Sequence, residues 1–400
     1  MKKNDIRKHI FIRCCYGYAI SGMAVLMIGA ALPSIIEEAG ISFLAAGGLL
    51  SVMAVGNFLA SFLFPVLVSQ WGRSGAVTAM TSLVPFCLLG LTLLPPLPVM
   101  YTIMLVYGLA RGSVTIINNS AVNDIYEEEA AGKLNILHCS FAVGAFLSPF
   151  ITAILMRYGL GWKAAIYLLT ALTATSALTY GTMHAELLEE KEHSRRKTAA
   201  KIQGGSHAFL KSAQFYCIAF LLFFYLGVEN CINGWFVTYL QNTGVMSEAY
   251  ATTLVSFTWL IIMIGRLFCA ALSKRAERSS IILMNAAGSA VCFFLLISTK
   301  SLPLITAALM GFGFFLSGIY PTSIANAGPL IQGSTLGMSM LTAISAMGGI
   351  ITPQLVGGLA DHVGIVAAVG MLAVNVVVVV LLAAFNAARY RVRYKVALGK

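Results

Sequence analysis

Charged residues are scarce in this chain: Asp, Glu, Lys and Arg together make up only 10% of its 400 residues. An ordinary soluble domain carries about a quarter. Hydrophobic residues account for 58%, and the mean hydropathy is +0.85. No soluble fold could bury this much apolar surface, so the composition predicts an all-α membrane protein with many membrane-spanning helices.

Sequence motifs of enzymes and metal sites are also missing. The glycines form no phosphate-binding P-loop, and neither an H-E-x-x-H motif nor a nucleophile elbow occurs. The eight cysteines all fall within apolar segments and form no C-x-x-C pair. We therefore expect no cofactor, no bound metal and no enzymatic activity. The net charge of +11 lies mainly in the connections between apolar segments, so no nucleic-acid partner is predicted.

Twelve apolar segments are long enough to cross a bilayer, which takes about 20 helical residues. Spans one to six cover approximately 11–32, 43–68, 75–94, 99–123, 134–156 and 162–183. Spans seven to twelve cover approximately 213–240, 249–272, 279–298, 303–326, 335–358 and 364–388. We predict an N-terminal six-helix bundle over 1–183, a cytoplasmic linker over the polar stretch 184–211, and a C-terminal six-helix bundle over 212–400. Span one is too long for the core of a signal peptide, so we expect no cleavable leader.

The distribution of basic residues predicts the orientation in the membrane. Twenty-one of the 26 Lys and Arg residues lie in the two tails and in one set of connections, and three lie in the other set. The remaining two, Arg111 and Arg266, fall inside spans. Because cytoplasmic connections carry the excess of Lys and Arg, we expect a multi-pass protein of the cell membrane with both termini in the cytoplasm.

The two halves of the sequence repeat some of their glycine and proline spacing. Span five contains GAFLSP (144–149), and span eleven contains GGIITP (348–353) at the corresponding place. Gly108 and Asn119 in span four are separated by the same distance as Gly311 and Thr322 in span ten. The repeats favour two six-helix bundles related by an axis along the membrane normal, an arrangement used for alternating access to a site near the midplane.

Four stretches have a pattern that is familiar from one family: LNILHCSFAVGAFLSPF (134–150), YLGVENCINGWFVTYL (225–240), SFTWLIIMIGRLF (256–268) and GFGFFLSGIYPTSIANA (311–327). They resemble the major facilitator superfamily, and within it the fucose, galactose and glucose proton symporters. The resemblance implies a twelve-helix transporter with a central cavity of the size of a sugar, often driven by protons.

The chain departs from this family at several positions. Ser69 stands where the loop signature between spans two and three normally has Asp. Gly29 and Thr115 stand where fucose symporters are expected to have acids, and Ala142 replaces a sugar-contacting Asn. The fucose-specific coupling chemistry is therefore not predicted.

Of the fifteen acidic residues, only Glu229 lies deep within a span. An intramembrane carboxylate costs about 3 kcal/mol on insertion scales, so it usually faces a cavity or a charged partner. We interpret Glu229 as the residue that exchanges a proton, contacts a solute hydroxyl, or does both in turn. The alternative is a permanent ion pair with Arg111 or Arg266 that fastens the helices together.

The other candidate site residues are polar or aromatic side chains within spans. Asn230, Asn233 and Trp235 offer amide hydrogen bonds and an aromatic face, which suit a hexose; helix packing and the outer aromatic belt are the alternatives. The resemblance implies a coupling role for Arg111 and cavity positions for Asn119 and His138, with helix packing as the alternative. His138 is also a candidate for proton coupling, because histidine changes charge most easily near neutral pH; a hydrogen-bonded neutral structural histidine is the alternative. Weaker lining candidates, each with packing as its alternative, are Asn57, Tyr320, Thr322 and Asn326.

The preferred hypothesis is secondary active transport by alternating access, in which a hexose-like solute moves with protons through a monomer in the lipid bilayer. Sodium as the coupling ion stays open. A proton-coupled efflux transporter for lipophilic or cationic drugs is the runner-up, because 23 Phe and 17 Met could line an adaptable cavity. A membrane sensor that keeps the fold without transporting is the third hypothesis.

Overall fold

The computed structural model describes residues 3–41, 43–183, 208–246, 248–332 and 334–397. These residues form α-helices and two short 3₁₀ turns, with no strand among them. The helices of spans one to six are Lys3–Ala39, Phe43–Thr92 (spans two and three), Leu97–Tyr126, Ala130–Arg157 and Gly161–Thr182. Those of spans seven to twelve are Ala213–Asn242, Glu248–Leu272, Arg278–Ser298, Leu302–Leu316 with Ile319–Ile331, Thr335–Val363, and Ile365–Val369 with Leu372–Ala397.

The prediction of an all-α membrane protein with twelve spans is confirmed. Nine helical stretches of the described chain are apolar and long enough to cross a bilayer. Two of them, Gly48–Thr92 and Leu97–Ser148, each run through two predicted spans. Span eight, in which the apolar helical part is the shorter Phe257–Leu272, completes the twelve.

Two interruptions of the helices have local causes in the sequence. Between spans two and three, Gly72 has φ 71° and ψ 170°, which glycine adopts without the steric cost that a Cβ brings. Span ten breaks between Leu316 and Ile319, two residues before Pro321. Proline has no N–H to donate to the carbonyl of Ser317, four residues earlier, so the helix restarts with Pro321 in its first turn, where proline is tolerated.

The described chain forms two compact units. The first consists of the described residues within 1–125, 137–207 and 332–340, and the second of those within 126–136, 208–331 and 341–400. In the second unit, Arg278 donates to the carbonyl of Glu128 (2.8 Å), to that of Glu127, and to that of Ala325 (2.7 Å). Residues 184–207, most of the predicted linker, lie outside the described residues, and the predicted bundle boundaries stay a prediction.

In each unit, the first span of its half crosses the fifth at a glycine that meets the backbone of the other helix, and the two crossings correspond. In the first unit, a Cβ at Gly144 would lie 1.8 Å from the carbonyl oxygen of Ala19. In the second, a Cβ at Gly348 would lie 1.8 Å from that of Phe223. Gly348 follows Gly144 by 204 residues, and Phe223 follows Ala19 by the same 204. The GAFLSP and GGIITP stretches therefore occupy equivalent crossings of spans one with five and seven with eleven.

The proposed correspondence of Gly108 with Gly311 is not supported by their contacts. A Cβ at Gly108 would meet the carbonyl of Met53 in span two, whereas one at Gly311 would meet the sulfur of Cys292 in span nine. Equal spacing of residues along two helices does not ensure that the residues face equivalent neighbours.

A second pair of equivalent crossings joins span two with span four and span eight with span ten, and it involves other glycines. Gly56 faces the carbonyl of Leu105, and Gly265 faces that of Phe314. Both members of the second pair follow those of the first by 209 residues. This offset relates spans two and four to spans eight and ten.

We expect Gly348→Ala to destabilise the protein by about 1–3 kcal/mol, because the added methyl group would overpack the crossing against the backbone of span seven. Gly358→Ala, in the same helix, is the matched control, since a Cβ there meets nothing within 4 Å. Thermal unfolding of the purified variants measures the difference. Equal melting temperatures for the two variants would contradict this account of the crossing.

Candidate functional site

A cluster around Glu229 lies in the second unit, near the middle of the helix Ala213–Asn242. The Tyr225 hydroxyl, one turn earlier, donates to Glu229 Oε1 at 3.0 Å. Arg266 of span eight brings Nη2 to 3.7 Å from the same oxygen. The Glu229 side chain is 15% exposed and that of Arg266 is 4% exposed, so the ion pair is largely enclosed by protein.

Arg266 is thus the basic neighbour of Glu229 within its own unit, one of the two partners that the sequence left open. The separation of 3.7 Å exceeds ordinary hydrogen-bond length, so the contact is an ion pair without a close N–H···O bond. Charges this far inside a helical bundle favour pairing, because water does not compensate them there.

Tyr320 and Tyr225 add an aromatic side to the Glu229 cluster, with ring centroids 6.1 Å apart. Tyr320 was predicted as a lining residue, but Tyr225 was missed. It sits four residues before Glu229, and residues spaced i and i+4 share one face of a helix. The spacing was visible in the sequence and was the signal that could have identified Tyr225.

Asn230 and Trp235 both hydrogen-bond backbone carbonyls of span eleven. Asn230 Nδ2 donates to the carbonyl of Gly349 at 2.9 Å, and Trp235 Nε1 donates to that of Pro353 at 3.0 Å. The Gly349 carbonyl would normally accept from the N–H of residue 353, which is a proline and has none. Asn230 therefore satisfies a carbonyl that the proline leaves without its helical partner.

Two further candidates of the second unit are engaged in packing between helices. Thr322 is fully buried and accepts a bond from Asn135 Nδ2 (3.1 Å). Asn326 is buried and donates to Asn386 Oδ1 (3.1 Å). The polar groups of both residues thus serve contacts within the unit. The side chain of Asn233 lies outside the described part of the structure.

In the first unit, the predicted residues Asn119 and His138 contact each other. His138 Nε2 lies 3.0 Å from Asn119 Oδ1, and both side chains are buried. Tyr18 of span one stands edge-on to the His138 ring, with centroids 5.1 Å apart. The cluster joins spans one, four and five.

Arg111 and Asn57 lie in the same unit on spans four and two. Arg111 borders a cavity that spans one, three, four and six also line, and its Nε is buried without a hydrogen-bond partner among the described residues. Asn57 is half-buried where span two passes Gly112, at which a Cβ would lie 2.6 Å from the Asn57 carbonyl.

The loop signature between spans two and three retains one ion pair although Ser69 replaces its acid. Arg73 Nη1 contacts Asp124 Oδ2, near the C-terminal end of the span-four helix, at 2.6 Å. Ser69 instead donates to the carbonyl of Val66 in its own helix. Within the first unit, this loop therefore makes its ion pair through Arg73 with Asp124 of span four.

The helices are long enough to span a bilayer, and equivalent helix crossings recur in the two halves of the chain. Together with the enclosed ion pair, these features define an α-helical membrane transporter built on an internal repeat. The family model for the Major Facilitator Superfamily matches residues 14–329. The chain belongs to this superfamily and is one of its transporters.

Relatives and solved structures agree with this assignment. The sodium-dependent glucose transporter 1A of Mus musculus is 23% identical over 383 residues, covering 85% of this chain and 87% of that protein. The crystal structure of the transporter FucP in the outward conformation has a TM-score of 0.72 at 15% identity and covers 94% of this chain and 98% of its own. The proton:xylose symporter XylE has a TM-score of 0.75 at 12% identity, covering 96% and 95%. The two structures establish the fold.

We expect Asn230→Ala to destabilise the protein by about 1–3 kcal/mol, because the Gly349 carbonyl would be left without a donor. Pro353→Ala restores an N–H at position 353, so Asn230→Ala should cost less in that background. Thermal unfolding of both single variants and of the double variant measures the coupling.

Asn242→Ala is the matched control, because its exposed amide bonds only the carbonyl of Thr238 in its own helix. Strictly additive effects of Asn230→Ala and Pro353→Ala would contradict the role assigned to Asn230.

Proposed function

We propose that this transporter moves a hexose-like sugar together with protons by alternating access, and that Glu229 carries the proton. The observation on which the proposal depends is the enclosed contact of Glu229 with Arg266 at 3.7 Å and with the Tyr225 hydroxyl at 3.0 Å. A carboxylate near the middle of a membrane helix is costly, and its retention is typical of proton and substrate pathways.

The coupling follows from the charge balance of the cluster. While Glu229 is ionised, its negative charge compensates the guanidinium of Arg266. Protonation of Glu229 removes this compensation, and a hydroxyl oxygen of the solute can then accept a hydrogen bond from Arg266. Loss of the proton restores the ion pair and disfavours the bound solute. Proton and solute are in this way bound and released together, which is the condition for symport.

The sugar is supported by the chemistry around Glu229 and by the relatives. Tyr225 contacts the carboxylate, and the ring of Tyr320 packs beside the ring of Tyr225. Amphipathic rings with hydroxyl groups suit the apolar faces and polar edges of a hexose. Relatives of this chain include proteins named as glucose transporters. We further propose that both termini lie in the cytoplasm, from the distribution of Lys and Arg, and that the transporter acts as a monomer.

We expect Glu229→Gln to abolish proton-driven accumulation of sugar while leaving exchange of labelled for unlabelled sugar intact, because the amide cannot release a proton. Purified protein in liposomes is assayed for hexose counterflow and for uptake with an imposed pH gradient. Glu277→Gln is the matched control, since Glu277 is an exposed acid at the start of span nine. Unchanged concentrative uptake in Glu229→Gln would remove the coupling role from this residue.

A sodium gradient as the driving force is the second candidate, favoured by the name of the mouse relative, a sodium-dependent glucose transporter. The same liposomes with a sodium gradient and no pH gradient separate the two ions. Accumulation driven by sodium alone would replace the proton in the proposal. Extrusion of a cationic dye without hexose exchange would favour drug efflux instead.

A further inference from the structure

Arg111 places a permanent positive charge at the middle of a membrane-spanning helix in the first unit. It is the fifteenth of the thirty residues of Leu97–Tyr126. At about 1.5 Å per residue, the guanidinium is carried far from both ends of the helix. Arginine stays charged under all conditions relevant to proteins, so the charge must be compensated by acceptors.

The carboxylates of the described first unit are all near helix ends. They belong to Asp5 at the start of span one, to Glu37 and Glu38 at its end, and to Asp124 near the end of span four. Asp124 is paired with Arg73, and Glu38 with Lys163. Among the described residues of its own unit, Arg111 therefore has no carboxylate at its own depth.

The cavity beside Arg111 has about 30 Å³ of space that the centre of a water molecule can occupy. A water molecule needs about 10–15 Å³ of such space, so the cavity has room for about two waters or one small ion. Ser21, Ser176 and Tyr107 border it with hydroxyl groups. Its wall is otherwise largely apolar, which strengthens the attraction between the guanidinium and an anion.

The hydroxyl groups of the cavity differ in what they can offer an ion. Thr81 donates to the carbonyl of Val77 (2.7 Å), and Thr173 donates to that of Thr170 (2.9 Å). Their protons are used within their own helices. The donors that can point into the cavity belong to Arg111, Ser21, Ser176 and Tyr107. A group of hydrogen-bond donors with no carboxylate nearby is suited to binding an anion.

The internal repeat relates this cavity to the Glu229 cluster of the second unit. By the 209-residue offset, Arg111 is equivalent to Tyr320, and by the 204-residue offset, Ser21 is equivalent to Tyr225. Both units thus have a polar cluster at the same place in the repeat, and each cluster has a guanidinium. The residue equivalent to Glu229 in the first unit is Val25, so the second cluster has its own negative charge and the first does not.

We propose that the Arg111 cavity binds a small monovalent anion, with chloride as its probe, which supplies the negative charge that Glu229 supplies in the second unit. The anion accepts hydrogen bonds from Arg111 and from the neighbouring hydroxyl groups. It compensates the guanidinium and so stabilises the packing of spans one, three, four and six. This site is separate from the proposed sugar and proton chemistry, and its test needs no transport.

The experiment follows thermal unfolding of the purified full chain with a thiol-reactive fluorophore, since six of the eight cysteines are buried in the folded protein. Chloride replaces gluconate at constant ionic strength and constant sodium. The melting temperature should rise with chloride and saturate, because a ligand that binds only the folded state stabilises it by mass action. Arg111→Gln should lose the rise. Lys300→Gln, which removes an equal charge from an exposed connection, should keep it.

A second variant tests the same idea without removing the arginine. Ser21→Asp puts a carboxylate at the cavity, so its melting temperature in gluconate should not increase when chloride is added. Equal melting temperatures of the unaltered protein in chloride and gluconate would overturn the proposal. A saturable chloride effect of undiminished size in Arg111→Gln or Ser21→Asp would also overturn it.

Discussion

The constraint that governs this structure is the absence of water from the hydrocarbon core, which leaves the backbone polar groups of the spans to be satisfied by protein. Pro353 illustrates how the chain meets it. The proline removes the normal donor to the Gly349 carbonyl, and Asn230 of another span supplies a side-chain amide in its place. The same constraint explains why buried asparagines, such as Asn326 with Asn386, find one another across helices.

Glycines let the helices approach closely enough for such contacts to form. At Gly144 and Gly348, the neighbouring backbone occupies the space that a side chain would need. Their equivalent positions indicate that the two halves share one packing scheme and have diverged in the polar residues that it carries. Asn57 and Arg266 illustrate this divergence, since the 209-residue offset makes them equivalent although one is neutral and the other charged.

The candidate site could be predicted in part from the sequence. Glu229 stood out because it was the one acid deep within a span, and depth in a span is a property of the local sequence. Its neighbours Tyr225 and Arg266 depend on which face of the helix points inward and on which span packs there. Asn230 was predicted to contact a solute, but its amide nitrogen is committed to Gly349, a contact that a single-helix view cannot reveal.

The sequence by itself determined the membrane class, the number of spans, their approximate limits and the family resemblance. Each of these follows from composition, from the length that a bilayer demands, or from short stretches read along one helix. Only the tertiary structure decided that Arg266 lies beside Glu229, which glycines are equivalent, and that Arg111 borders a cavity with no carboxylate at its depth among the described residues of its unit. Those facts depend on helix rotation and on contacts between residues far apart in the chain, and the polarity of a membrane span specifies neither.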